Sequence, residues 1–94
     1  MSDGTERRVG SSGPATFEEL IMLFGTAGLL HLGVMPDPAT GQSRLDLEHA
    51  KQTIDLLELL KEKTSGNLTP DEANALDGVL FDLRCRYVDA AKGS

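Results

Sequence analysis

The sequence predicts an all-α fold of three helices over about residues 17–32, 46–65 and 70–91. Three observations predict it. Apolar residues recur at three- and four-residue spacing through each segment, the period of an amphipathic helix. Two T-x-x-E capping boxes, Thr16 with Glu19 and Thr69 with Glu72, each mark a helix start. The run KTSGNLTP, residues 63–70, places Gly66 after one periodic segment and Pro70 at the first position of the next. Residues 16–91 therefore read as one helical domain. Residues 1–15 are Gly, Ser and charge, too poor in apolar groups to offset their ordering entropy. They read as a disordered tail, and 92–94 as a disordered C-terminal end.

Helix 1 carries no formal charge from Leu20 to Met35 unless His31 is protonated. Glu18 and Glu19 sit at the positive end of its dipole. Gly33 supplies a left-handed cap, and Pro36 forbids continuation. Leucines surround the axis, while Gly25, Ala27 and Gly28 let another backbone come close. A helix apolar all round belongs in a protein interior or in lipid. Its sixteen residues rise ~24 Å, short of the ~30 Å hydrocarbon core of a bilayer. Arg7 and Arg8 precede it as in a signal peptide, but the intervening acids and the lack of a small-x-small cleavage site argue against one.

The connection to helix 2 contains PDPATG, stiff at Pro36 and Pro38 and able to turn at Gly41. Residues 37–48 begin and end like a calcium loop, yet Ala39 and Gly41 stand where ligand side chains belong and Gln42 where the turn needs Gly. Helix 2 is capped by Asp46 or Ser43. Leu47, Ala50, Ile54, Leu57 and Leu60 form its core stripe, and Glu48, Lys51, Asp55, Glu58 and Glu62 a solvated one. Leu56 and Leu59 fall outside the core stripe and need a second partner. The short link at Gly66 makes helices 2 and 3 an antiparallel hairpin. Leu68 staples onto Ala73 across the helix 3 cap. The sequon at Asn67 is chance in a chain read as non-secreted.

Helix 3 has two apolar faces. One carries Ala73, Leu76, Leu80, Leu83, Tyr87 and Ala90, and the other Asn74, Gly78, Phe81, Cys85 and Val88. One face takes helix 2. The other requires helix 1 or a second chain.

Ninety-four residues allow one domain with a small core. Nine basic residues against fifteen acidic ones, a net charge of −6, oppose binding to a phosphate backbone. The absence of Trp removes stacking platforms for bases. A single cysteine and no secretory signal point to a reducing cytoplasm. No constellation for catalysis stands out. His31 and His49 are not paired at helical spacing and lack further metal ligands, so no metal or other cofactor is expected. Cys85 lies between Arg84 and Arg86, but neighbouring residues on a helix point apart, and it reads as an interface hydrophobe. The Gly25-x-x-Gly28 pair is for packing and is no phosphate cradle.

FEELIMLFGTAGLLHLG, then PDPATG, then the run from Asp46 to Ala90 resemble small bacterial proteins catalogued as domain of unknown function 1844. The most specific pieces are AK-x-x-ID-x-L with L-x-EKT-x-GNLT, here residues 50–69, and DLR-x-RYV, here 82–88. Gly78 in mid-helix departs from the pattern. The resemblance implies a short, cytoplasmic, all-helical bacterial protein. It brings no activity, so no catalytic residues are carried over.

The apolar surface exceeds what three helices can cover among themselves, so a non-enzymatic homodimer or small homo-oligomer is the leading expectation, with helix 1 buried and the fold completed by dimerisation. Its interface is expected at Leu20, Leu23, Phe24, Gly25, Gly28, Leu56, Leu59, Phe81, Cys85 and Val88. The same surface would suit an unidentified protein partner. Membrane association through helix 1 is a weaker alternative, disfavoured by the acidic entry and the lack of flanking Lys or Arg. Weaker still is a ligand or enzymatic site across a dimer interface, where His31 and Arg84 would be the first residues to test.

Overall fold

The computed structural model describes residues 15–93. The chain forms α1 (Phe17–His31), α2 (Leu47–Lys63) and α3 (Pro70–Gly93), with each helix packed on the other two. The expected tail, residues 1–15, lies outside the described residues apart from Ala15, and so does Ser94.

Each helix end has a local cause. Thr16 Oγ1 accepts from the Glu19 N–H at 3.1 Å, and Glu19 Oε1 accepts from the Thr16 N–H at 3.3 Å. Thr69 and Glu72 repeat this exchange at 3.1 and 2.9 Å. Both boxes satisfy donors that a helix start leaves orphaned. α1 stops where Gly33 turns left-handed at φ +74°. There the Val34 N–H donates to the Leu29 carbonyl and the Gly33 N–H to that of Leu30, the bond pair of a Schellman motif. Asp46, not Ser43, caps α2, with its Oδ1 3.1 Å from the His49 N–H. α3 continues to Gly93, so the expected disordered end is helical at Lys92 and Gly93. Nothing in Ala91-Lys92 stops a helix, and Lys92 suits the negative end of the dipole.

Asp37, the residue that would open a calcium loop, instead organises a turn. Its Oδ1 accepts from the Ala39 N–H at 2.9 Å, and its carbonyl accepts from Gly41. The connection closes on itself, because Leu32 and Leu45 form an isolated antiparallel bridge and the Asp46 N–H donates to the His31 carbonyl at 2.6 Å.

The core is drawn from all three helices: Ile21 from α1; Ala50, Ile54 and Leu57 from α2; Leu76, Leu80 and Leu83 from α3, with Leu32 at the end of α1. Burying a Leu or Ile contributes ~1.5–3 kcal/mol. Lys61 pairs with Asp77 at 2.8 Å, and Glu58, one turn earlier, pairs with Arg84, two turns later. That order belongs to helices running in opposite directions. Such exposed pairs fix register more than they stabilise.

The helical glycines explain where α1 sits. A Cβ on Gly25 would lie 3.4 Å from Val79, and one on Gly28 only 2.8 Å from Leu83. Both are buried, so α1 approaches α3 along these two residues. Gly25 and Gly28, expected at an interface between chains, are used inside one chain. The burial of α1 is correspondingly one-sided. Ile21, Gly25 and Gly28 are covered, while Met22 and Leu23 remain 61% and 71% exposed. Two neighbouring helices can cover only part of a third.

Candidate functional site

Among the described residues an apolar face along α3, exposed leucines on α1 and α2, an apolar depression between α1 and α3 and a polar pocket stand out as places to meet a partner. Along α3, residues 78, 81, 85 and 88 recur at helical spacing on the side turned away from Leu76, Leu80 and Leu83. Phe81 is 70% exposed, Val88 48%, and the Cys85 thiol is exposed as well. Together they form a shallow depression of about 470 Å³ edged by Arg84 and Asp89. No residue lies within 4 Å of where a Cβ on Gly78 would stand, so the face continues open toward the N-terminal half of the helix. Arg84 is held by Glu58, and Arg86 donates to Asp82 at 3.0 Å.

Large apolar side chains are exposed on the other two helices as well, Leu20 and Leu23 on α1 and Leu56 and Leu59 on α2. Phe24 is partly buried against the core. Thus Leu20, Leu23, Leu56, Leu59, Phe81, Cys85 and Val88 are all on the outside. Gly25 and Gly28 are not. A second apolar depression, of about 290 Å³, runs between α1 and α3, edged by Met22, Thr26, Leu29 and Gly78.

The polar pocket, about 280 Å³, opens where α1 ends and α2 begins. The rings of His31 and His49 stack there with centroids 5.3 Å apart and an interplanar angle of 29°. Asp46 holds His49 twice, through the backbone N–H and through ring Nδ1 at 2.6 Å. The first of these bonds, then the second, holds the Asp46 carboxyl below the usual carboxylate range. Asp37, Gln42 and Arg44 complete the rim. Sequence spacing did not reveal the histidine pair, because eighteen residues separate its members and only the closed connection brings them together. Among the described residues no Ser, Thr, Cys, Lys or Tyr side chain lines the pocket. Among the described residues no group of three or more His, Cys, Asp or Glu could hold a metal ion. Nor does the fold unite His31 with Arg84. His31 stacks on His49, while Arg84 binds Glu58, nine residues or ~14 Å further along α2.

No described helix is long and apolar enough to cross a membrane. No curated protein and no solved structure matches this chain. A family model does match, over residues 14–89, which takes in both capping boxes, the closed connection and all but the last residues of α3. The chain belongs to the family described as Domain of unknown function (DUF1844).

Proposed function

We propose that this protein is a non-enzymatic helical module that works by self-association, as a homodimer or a small homo-oligomer. The observation that carries this reading is the exposure of large apolar side chains in groups, with Phe81 and Leu23 each at least 70% exposed on faces that no part of the described chain covers. Single exposed leucines are ordinary on a monomer, whereas contiguous apolar faces mark interaction surfaces. A second copy is the simplest occupant, because a two-fold axis covers both members of a pair with one surface. It also adds to a core that is small for a stable domain.

Sedimentation velocity across the micromolar range tests this. The expected result is a concentration-dependent shift from the mass of one chain to that of two or more. A compact monomer at every concentration would overturn the reading.

A further inference from the structure

Resting on the self-association proposed above, we infer that the second copy docks on the outer face of α3, with the two α3 helices side by side and parallel. The geometry begins with the seam. Gly78, Phe81, Cys85 and Val88 follow one another at intervals of 3, 4 and 3 residues, the spacing of a helix–helix seam. Arg84 and Asp77 line one edge of it, and Asp82 and Asp89 the other. α3 spans 24 residues, ~36 Å of helix, long enough to present three successive layers of contact.

The charges choose the direction. In a parallel pair, a residue on one edge faces the residue five positions later on the opposite edge of its neighbour. Arg84, whose guanidinium also binds Glu58 of its own chain, then faces the partner's Asp89, and the two-fold axis makes the same contact twice. Asp89 has no ion pair within its own chain among the described residues, so it is free to make this one. Asp77 would face the partner's Asp82. Each of those acids, however, already carries its own counter-charge, Lys61 for Asp77 and Arg86 for Asp82. In an antiparallel pair like edges meet. Arg84 would face the partner's Arg84, and the Asp82–Asp89 edge would face the partner's same acidic edge. The apolar floor fits either direction, and only the parallel one matches opposite charges. It also sets Cys85 in the central layer against the partner's Cys85, between layers of Phe81 and Val88.

The test uses the full chain, equilibrium sedimentation, and the native Cys85 thiol as a reporter. Phe81→Asp should raise the dimer dissociation constant by more than ~100-fold, as loss of a central aromatic anchor does. Circular dichroism should be unchanged, because Phe81 is outside the core. Asp89→Arg should weaken the dimer by about 5-fold, the scale of the two exposed ion pairs that it removes. Adding Arg84→Asp to Asp89→Arg should restore it to within about 2-fold, since the exchanged charges again face each other. Mild oxidation of the wild-type dimer should join the chains through Cys85. Asp89→Arg alone tightening the dimer, as relief of the two facing acidic edges of an antiparallel pair would do, would overturn the parallel arrangement. A dimer indifferent to Phe81→Asp and not joined through Cys85 would overturn the face, leaving self-association standing. A wild-type chain that stays monomeric throughout would overturn both.

Discussion

The two faces of α3 share one helix and one periodicity, yet they end in opposite environments. Leu76, Leu80 and Leu83 are at most 1% exposed, whereas Phe81, less than a turn from two of them, is 70% exposed. Hydrophobicity does not separate the two faces, since Phe and Val are no less apolar than Leu. The difference comes from α1. Gly25 and Gly28 allow it to press against Val79 and Leu83, on the flank of the leucine face. Both neighbours of α3 thus sit on the same half of its circumference. The location of the small residues, more than that of the large ones, decides which stripe is closed within the chain.

The comparison breaks most directly at adjacent residues. Leu80→Ala should cost ~2–5 kcal/mol, the range for truncating a buried leucine. Phe81→Ala, measured in dilute solution, should stay within ~0.5 kcal/mol of wild type. Urea titrations of the two variants decide it, and similar losses would mean that the outer face is covered within one chain.

The glycines sharpen the same contrast by sign. Gly28→Ala puts a methyl 2.8 Å from the end of the Leu83 side chain, so that buried leucine must shift. An overpacking cost of ~1–3 kcal/mol outweighs the ~1 kcal/mol gained in helix propensity, so a net loss of about 1 kcal/mol is expected. Gly78→Ala meets nothing within 4 Å and should raise stability by ~0.5–1 kcal/mol. Thermal melts of both proteins would show midpoints moving in opposite directions.

The smallest effect concerns a group on neither face. Asp46 has a folded-state value held below the unfolded one by its bonds to His49. Its contribution is therefore complete above the usual carboxylate range and disappears as pH falls through the lowered value. Asp46→Asn should lower stability near neutrality, where the contribution is complete, and converge on wild type at low pH, which flattens the acid limb of the profile. Melting temperatures measured at stepped pH would reveal a steep acid limb if other carboxylates govern it instead.

Much of this was legible in the sequence. Thr16 with Glu19, Gly33, and Thr69 with Glu72 act locally, within a turn of the residues they bond, so sequence spacing alone identifies them. The match over residues 14–89 likewise agrees with the motifs at 50–69 and 82–88. What was not legible depended on packing. Periodicity shows that residues share a face without showing what covers it, so Gly25 and Gly28 read equally well as contacts within or between chains. His31 and His49 meet only because residues 32 and 45 pair, a contact with no signature in either residue. Residues 92–94 read as a disordered end, yet α3 continues through Lys92 to Gly93.

The bridge between Leu32 and Leu45, with the bond from Asp46 to His31, has a practical consequence. It ties together both ends of the excursion that leaves α1 and enters α2. What lies between, with Ala39, Thr40 and Gly41 exposed at its tip, is relieved of holding the two helices in place. Doubling the length of such a closed excursion costs only about 0.6 kcal/mol in chain entropy. This makes the Ala39–Thr40 bond the natural place to open the chain for an epitope tag or a fluorophore, where a reporter could follow assembly while leaving the exposed apolar side chains of the helices untouched.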